Sequence, residues 1–350
     1  MLGKTNVKII KAKPTLGSKW QKSVTTTKAM YKCIDIMNNR MTAVGWGGAY
    51  YSDDGGITFL QASSTGFDDV EYNDGLLLSV SNYIPAGGGI WQSTNGESFN
   101  LVEDSTIWGY NDFIRGAGNQ WLIGLFRGGT DGTYEATTSE MKDIPPDLSS
   151  TEQSIDHFIK ALNTDPAIWA YDAGDYLVFS SPTIFRDTYF RVKARGSITD
   201  EILSYDVVKF NHLYIVGTSE GIHYTADELN FSTYADLSFT QSNISSGTIY
   251  NIHASDKTCI AVGTDIWRST DGKTWTALGI SGSTFKKICS DDNGIWVAGG
   301  NKGALYYSND DGVTFTKVED LTTANIYWIH YNKKFKTFVI CTADGIYYSK

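Results

Sequence analysis

The sequence predicts an all-β protein, a single β-propeller of four-stranded blades. A short phrase recurs along the chain as SDDGGITF (52–59), STNGESF (93–99), STDGKTW (269–275) and SNDDGVTF (308–315). Each copy follows a strand-like segment and ends on an aromatic residue that opens another, which is typical of a turn at a fixed place in a recurring sheet. The units repeat about every 42 residues, the length of a propeller blade. The 35 glycines against 6 prolines suit many tight turns.

Eight such units can be aligned by their strands. Second strands are predicted at 41–45, 76–80, 121–126, 176–180, 213–217, 259–263, 295–299 and 338–342. First strands, marked by alternating and β-branched residues, are predicted to begin at Tyr31, Phe67, Asn111, Ala167, Tyr205, Tyr250, Lys286 and Tyr327. We therefore expect eight blades. Seven is the alternative if residues 147–200 do not contain a full blade.

The two ends of the sequence are predicted to meet in one blade. Residues 17–22 are similar to the second half of a repeat unit such as 272–276, whereas residues 345–349 form a third strand with no fourth strand after it. We expect the N-terminal strand to complete the last blade, because this closure leaves no open edge between the first and last blades. The chain 1–350 then forms a single domain.

An insertion at 147–165 is expected to hold a helix near 150–162. Ser149, Ser150, Thr151 and Glu152 have the spacing of a capping box, and apolar residues follow at i, i+3, i+4 and i+7, at positions 155, 158, 159 and 162. The apolar stripe of this helix would pack on the rim of the propeller or contact a partner.

The charge is unevenly distributed. The net charge is −10, yet the first 32 residues carry eight lysines and no acid. The remainder is therefore −18, from −10 minus 8. Residues 1–13 form a basic arm that could dock on an acidic partner surface or on nucleic acid, or could be a solvated strand edge. The acidic body argues against nucleic acid as the main ligand.

The four cysteines and the N-terminal segment indicate in which cellular compartment the protein is made. Cys33, Cys259, Cys289 and Cys341 each lie in an apolar strand-like segment, and their spacing fits no metal or redox motif. The N-terminal segment lacks the apolar core of a signal peptide. No segment approaches a membrane-spanning length. These features predict synthesis in the cytoplasm without secretion and without insertion into a membrane.

The acidic and amide residues of the recurring phrase are predicted to have a structural role. Asp53, Asn95, Asp271 and Asp310 recur at the same place in each turn. Such side chains accept hydrogen bonds from the backbone amides of their own turn, and the glycine beside them supplies a permissive backbone. We therefore assign them neither metal binding nor catalysis.

The pattern Ser-x-Asp-x-Gly-x-Thr-Trp resembles the Asp-box, or BNR, repeat of the sialidase and sortilin-like superfamily, and the resemblance spans nearly the whole chain. It implies a propeller and leaves function open. A sialidase would need three arginines around a carboxylate, one of them in an Arg-Ile-Pro type motif. None of the seven arginines precedes Ile-Pro, so we do not expect that activity.

Other enzymatic activities find weak support. We recognise no catalytic set, no metal site and no cofactor motif. A carbohydrate-active hydrolase needs only two carboxylates across a channel or cleft. The first strands offer Asp35, Asp69, Glu71, Asp112 and Asp206, with His253 and His330 at matching places.

Tryptophans near strand ends form a candidate ligand or partner surface, since such rings can stack on sugars or anchor a protein. The candidates are Trp46, Trp91 and Trp108. Packing between blades is the alternative role of these residues.

Together, these observations favour a non-catalytic recognition or assembly module. The chain looks like a bacteriophage virion propeller, of the tail or associated with the capsid, in which such repeats serve as adhesins or decorations. This resemblance implies other virion or scaffold proteins as partners and a bacterial surface glycan as a further ligand. The alternative function is the carbohydrate-active hydrolase.

Overall fold

The computed structural model describes residues 16–73, 75–81, 89–104, 110–117, 120–127, 130–137, 169–172, 177–180, 190–192, 202–225, 240–280 and 282–349. In this part of the chain the regular structure is β-sheet, with two short 3₁₀ turns at Met37–Asn39 and Asn301–Gly303. The predicted helix near 150–162, the basic arm 1–13 and Trp108 lie outside the described residues.

The strands of the first half, in chain order, are β1 (Gln21–Lys22), β2 (Met30–Asp35), β3 (Met41–Gly45), β4 (Gly48–Ser52), β5 (Leu60–Ser63), β6 (Asp69–Asn73), β7 (Leu76–Ser81), β8 (Gly89–Ser93), β9 (Asn100–Asp104), β10 (Tyr110–Ala117), β11 (Gln120–Arg127), β12 (Thr130–Thr137), β13 (Trp169–Asp172), β14 (Leu177–Ser180) and β15 (Phe190–Val192).

Those of the second half are β16 (Ile202–Phe210), β17 (Leu213–Thr218), β18 (Gly221–Thr225), β19 (Thr240–Gln241), β20 (Ile249–Ala254), β21 (Cys259–Gly263), β22 (Ile266–Ser269), β23 (Thr276–Ala277), β24 (Phe285–Ser290), β25 (Trp296–Gly300), β26 (Leu305–Ser308), β27 (Thr316–Lys317), β28 (Ile326–Asn332), β29 (Thr337–Thr342) and β30 (Gly345–Ser349).

Within the described residues these strands form eight antiparallel sheets, which we number along the chain. Sheet 1 is β2–β5, sheet 2 is β6–β9, sheet 3 is β10–β12 and sheet 4 is β13–β14. Sheet 5 is β15–β19, sheet 6 is β20–β23, sheet 7 is β24–β27, and sheet 8 is β28–β30 with β1 added at its outer edge. Nearly all sheets are meanders of consecutive strands, so local pairing dominates the topology.

The first strands of neighbouring sheets pack side by side in the order β16, β20, β24, β28, β2, β6 and β10. In sheet 5, which has the extra strand β15, we count β16 as the first strand and β17 and β18 as the second and third. Apolar clusters fill the spaces between adjacent sheets, as between sheets 8 and 1, where Met30, Cys33, Trp328 and Val339 are buried together. Sheets packed face to face around inner first strands form a β-propeller, which confirms the predicted fold class. The number of blades and the closure of the ring stay predictions.

The first and last described strands share one sheet. β1 pairs with β30 through Gln21 opposite Tyr348 and Lys22 opposite Tyr347. The chain then crosses to sheet 1: the Ser23 amide donates to the carbonyl of Ile346, and the Val24 amide donates to the carbonyl of Ile57 at 2.9 Å. Residues 21–24 therefore connect sheet 8 with the first repeated turn.

All four repeated turns use the same hydrogen bonds. The serine hydroxyl that opens each turn accepts from a glycine amide, as in Gly272 N to Ser269 Oγ at 2.8 Å. It also donates to the acid or amide of its turn, as in Ser269 Oγ to Asp271 Oδ1 at 3.0 Å. That side chain accepts amides further on, as in Thr274 N to Asp271 Oδ1 at 2.7 Å. Burial works against ionisation of Asp271, but these hydrogen bonds outweigh it and lower the pKa of the carboxyl.

Three of the four predicted turn residues take this role, and Asp53 does not. Asn95 accepts from Glu97 N at 2.9 Å, and Asp310 from Thr314 N at 2.9 Å, as Asp271 does in its own turn. In the first turn the residue that accepts from Thr58 N is Asp54, at 2.9 Å. The prediction was wrong at this turn because Asp53 is the first residue after the serine, whereas Asn95, Asp271 and Asp310 are the second residue after theirs, the place that Asp54 has here.

Asp53 instead forms a two-bond ion pair with Arg40, from Nε at 2.7 Å and from Nη2 at 2.8 Å. Arg40 also donates to Glu97 Oε1 at 2.6 Å and to the carbonyl of Asn95 at 2.8 Å, both in the turn of sheet 2. The guanidinium therefore joins the turn of sheet 1 to the turn of sheet 2, and it lowers the pKa of Asp53.

Each turn rests on the preceding sheet at its glycine. Gly312 has φ +76°, and a Cβ there would overlap Ile260 Cδ1 of sheet 6. Gly272 stands in the same relation to Ile215 of sheet 5, and Gly56 to Val339 of sheet 8. The aromatic residues that end the turns, Phe59, Phe99, Trp275 and Phe315, pack into the clusters between the same pairs of sheets.

We predict that Gly312→Ala destabilises the protein by about 2–4 kcal/mol, because it adds backbone strain and a clash with Ile260. Gly279→Ala is the matched control, since Gly279 has φ +72° but no atom within 4 Å of the place that a Cβ would occupy. Strain alone should cost it about 1 kcal/mol. Urea unfolding of both variants tests this, and equal losses would contradict the proposed contact.

A second pair of variants tests the correction at the first turn. Asp54→Ala removes the acceptor for Thr58 N and should cost about 1–3 kcal/mol. Asp53→Ala removes a partly exposed ion pair and should cost less than about 1 kcal/mol. Thermal unfolding at low and high salt distinguishes the two variants. Only the loss of stability caused by Asp53→Ala should become smaller at high salt, because salt screens the exposed ion pair. A larger loss for Asp53→Ala would reverse our assignment.

Candidate functional site

The first strands lie side by side toward the centre of the propeller, and the antiparallel order of each sheet determines which loops lie at each end. Loops from first to second strands lie on the same side as the four repeated turns, and we call this side the turn face. Loops from second to third strands lie on the opposite face, together with the connections to the next sheet.

Six neighbouring first strands each contribute one buried residue at the same register position. In the order of sheets 5, 6, 7, 8, 1 and 2 these residues are Asp206, Asn251, Lys287, Trp328, Lys32 and Asp69. We call them the inner ring. Each is 6% exposed or less. Buried polar groups must be paired to be tolerated, and here the partners lie largely on the neighbouring sheet.

The polar half of the inner ring is held by amide hydrogen bonds. Asp206 Oδ2 accepts from Asn251 Nδ2 at 2.5 Å and from the backbone amide of Ile252 at 2.8 Å. Asn251 Oδ1 accepts from the amide of Ile288 at 2.9 Å. Sheets 5, 6 and 7 are thereby connected through two side chains.

The cationic half centres on Trp328. The Nζ atoms of Lys287 and Lys32 lie 4.4 Å and 5.3 Å from the indole ring centroid, so that both neighbouring sheets supply a cation to one ring. Lys32 also donates to Asp69 Oδ1 at 2.7 Å, and its Nζ lies 3.5 Å from Glu71 Oε2. These contacts pair a lysine that would otherwise be costly to bury.

On the turn face a cavity of about 680 Å³ lies beside the inner ring, and Lys32 and Trp328 of that ring line it. Five sheets line it, and its lining includes Asp35, Tyr72, His253, Asp292, His330 and Lys333. Asp35 Oδ1 accepts from Asn332 Nδ2 at 2.7 Å and lies 2.8 Å from His330 Nε2. Lys333 and Asp292 form an ion pair of 2.9 Å. The lining is preformed and carries both signs of charge.

The carboxylates considered for hydrolysis are held by these structural contacts. Asp69 and Glu71 face Lys32, Asp206 joins sheets 5 and 6, and Asp35 joins sheets 8 and 1. The side chain of Asp112 lies outside the described part of the structure. His253 packs edge-on against Trp296, with 5.6 Å between ring centroids. Each of these described carboxylates therefore has a structural contact with a neighbouring side chain.

The other reactive groups are buried. All four cysteines are free and buried, and burial raises the pKa of the Cys33 and Cys259 thiols, which keeps them protonated. No cluster of three or more potential metal ligands occurs among the described residues. No helix in that same part of the chain is long and apolar enough to cross a membrane.

The structure does not bring the predicted tryptophans together. Trp46 is 65% exposed in the tight turn between β3 and β4, on the opposite face. Trp91 on β8 packs edge-on against Phe67 at 5.9 Å, within the cluster between sheets 1 and 2. Trp91 thus contributes to packing between sheets, whereas Trp46 is presented to solvent.

Sequence reasoning did not identify Lys32, Asn251, Lys287 and Trp328 as members of one constellation. A signal was present, because each of these residues lies at the same position in its aligned first strand. The residue types differ from unit to unit, so the alignment alone does not show that they meet.

Comparison with known proteins supports the fold. No family model and no curated protein sequence matches the chain. Among solved structures, the chain is similar to YCF48 bound to D1 peptide, with 16% identity, 95% of this chain and 94% of that chain covered, and a TM-score of 0.54. It is also similar to Chaetomium thermophilum Sqt1 bound to the N-terminus of the ribosomal protein L10, with 14% identity, coverage of 94% and 98%, and a TM-score of 0.59.

A third similar structure is the extracellular domain of the putative hybrid two component system BT4673 from B. thetaiotaomicron, with 12% identity and a TM-score of 0.55. The match covers 95% of this chain and 40% of that chain. At such low identities these likenesses establish a shared propeller architecture.

We predict that the lysine of the inner ring is energetically coupled to Asp69. Lys32→Met leaves buried carboxylates without their cation and should cost about 3–5 kcal/mol. Asp69→Asn should cost less, and the double variant should be more stable than the sum of the two losses by about 1–3 kcal/mol. Urea unfolding of the four proteins measures this coupling, and strictly additive losses would contradict the ion pair.

Proposed function

We propose that this protein is a non-catalytic recognition or assembly module that binds a segment of another protein in the cavity on the turn face. The observation that carries the proposal is the cavity itself, about 680 Å³, which is lined by residues of five sheets and includes the buried Lys32 and Trp328 of the inner ring. A preformed concave surface lowers the entropic cost of binding.

The lining suits a polypeptide segment with mixed character. Tyr72 and Tyr331 provide half-buried rings, and Asp292 and Lys333 provide both charges at the rim. Aromatic anchors surrounded by polar groups are the usual composition of protein interfaces. By analogy, two propellers of similar fold were solved with a peptide and with the N-terminus of a protein bound.

A finer version of the proposal places the chain among Asp-box propellers. The hydrogen bonds shared by the four repeated turns support it, since serine, acid or amide and glycine play the same parts in each. The sequence resemblance further suggests a virion component of a bacteriophage, made in the cytoplasm and bound to other virion proteins. Mass spectrometry of gradient-purified particles tests this role, and particles that lack the chain would refute it.

Selection from a random peptide library displayed on yeast tests the recognition function. We expect selected peptides to bind with affinities on the order of micromolar. Lys333→Glu should weaken them about tenfold, because it reverses a charge at the rim of the cavity. Lys334→Glu is the matched control, since Lys334 is adjacent and exposed but does not line the cavity. Equal affinity of the selected peptides for the two variants would show that the peptides bind outside the cavity.

A glycan ligand or a hydrolase is distinguished by a parallel experiment. The purified protein is incubated with bacterial surface glycans, and both retention and released reducing sugar are measured. Release that is lost in Asp35→Asn would show catalysis in this cavity and overturn the non-catalytic proposal. Retention without release would assign a glycan as the ligand in place of a protein segment.

A further inference from the structure

The first strands share a second feature, a β-bulge one residue before the inner ring. The strand register shifts between Met30 and Lys32, between Ile249 and Asn251, between Phe285 and Lys287, and between Ile326 and Trp328. The extra residues are Tyr31, Tyr250, Lys286 and Tyr327. In sheet 2, Asp68 has the same place, and its amide donates to the carbonyl of Val80, the residue opposite Asp69. A bulge leaves its extra residue unpaired in the ladder and redirects its side chain.

The four bulge residues and Asp68 belong to consecutive sheets, in the order 6, 7, 8, 1 and 2. We call Tyr250, Lys286, Tyr327, Tyr31 and Asp68 the tyrosine collar. All five are partly exposed. They lie near the beginnings of the first strands, which places them on the opposite face of the propeller from the cavity described above, on the side that carries Trp46.

Neighbouring members of the tyrosine collar contact each other. The rings of Tyr31 and Tyr327 pack edge to face, with 5.5 Å between centroids. Lys286 Nζ lies 3.2 Å from the centroid of the Tyr250 ring. The pKa of Tyr31 is raised by burial and then by the carboxylate of Asp68 and the phenol of Tyr327. The Tyr31 phenol therefore stays neutral beside an acid.

We propose that the tyrosine collar binds a cationic side chain, the guanidinium of arginine or the ammonium of lysine, from a protein segment that reaches this end of the channel. The contact between Lys286 and Tyr250 is an intramolecular example of the same interaction. Tyr31 and Tyr327 supply the corresponding rings on sheets 1 and 8, with Asp68 as the anionic neighbour.

Charge favours a cation over other occupants. Ring faces carry partial negative charge and attract cations within about 6 Å of the centroid. Asp68 places a carboxylate near Tyr31, whereas the one cation of the collar, Lys286, lies over the Tyr250 ring. The chain as a whole carries a net charge of −10, which attracts basic segments from a distance. An anionic ligand would meet unfavourable electrostatics at Tyr31 and Tyr327. This site is independent of the cavity on the turn face and does not rest on its function.

The test uses Nα-acetyl-arginine amide and its neutral isostere Nα-acetyl-citrulline amide as probes. Protein labelled with 3-fluorotyrosine is titrated with each probe and followed by fluorine NMR, with resonances assigned from the Tyr31→Phe and Tyr327→Phe variants. We expect the arginine probe to bind about fivefold to tenfold more tightly than the citrulline probe. It should shift the resonances of Tyr31 and Tyr327.

Paired variants show whether the aromatic rings themselves hold the cation. Tyr31→Leu with Tyr327→Leu should reduce binding of the arginine probe about tenfold, whereas the double Phe variant, which keeps both rings, should retain it. Tyr224→Leu is the control for loss of a tyrosine, because Tyr224 lies on β18 of sheet 5, away from the collar. Because the Leu variant could unfold, each variant is first checked by its thermal unfolding midpoint.

Lys286→Met gives the most discriminating result, because it removes the cation that already occupies Tyr250. We expect this variant to bind the arginine probe about threefold to tenfold more tightly than the natural chain, because a like charge next to the collar rings is removed. Unchanged or weaker binding by Lys286→Met, or equal binding of the arginine and citrulline probes, would overturn the proposal. Loss of binding in the double Phe variant would also overturn it and assign recognition to the hydroxyl groups instead.

Discussion

The close approach of each repeated turn to the preceding sheet is the contact on which the rest of the structure depends. At Gly312 the backbone lies against Ile260 so closely that no Cβ fits, and Gly272 and Gly56 repeat this relation at other sheets. The serine and acid of the turn hold that backbone in a left-handed conformation through their own hydrogen bonds. At sheets 1, 2, 6 and 7 of the described structure, the preceding sheet thus fixes the position of the turn, and the inner edges of the first strands lie toward a common centre.

At that centre, buried polar side chains need partners, because an unpaired buried polar group costs free energy of folding. Asp206, Lys32 and Asp69 are removed from water, and each remains tolerable because a neighbouring sheet supplies its partner. Groups paired across sheets in this way stiffen the propeller. The partly exposed side chains lie at the two ends of the channel, where we propose binding. One end is a cavity with both charges, and the other is the tyrosine collar.

Much of the fold could be predicted from the sequence because local patterns determine it. The second strands predicted at 41–45 and 259–263 coincide with β3 and β21, since meanders of consecutive strands depend on alternation and turns. The site was less predictable. Asp53 and Asp54 are adjacent acids, and only the turn geometry shows that Asp54 accepts from Thr58 while Asp53 pairs with Arg40. The inner ring pairs side chains from different sheets, such as Lys32 with Asp69, and no local pattern encodes that contact.

Hydrogen–deuterium exchange of the chain, with and without a peptide selected for binding, would show whether the channel is rigid and binds at its turn face. We expect slow exchange in the first strands of sheets 5 to 8, 1 and 2 in both states, since the inner ring ties them into one unit. Added protection should appear at the rim residues 72–73, 253–254, 290–292 and 330–333, which line or border the cavity. Fast exchange in the first strands, or protection confined to the outer edge strands, would contradict a rigid channel with its binding site at this end.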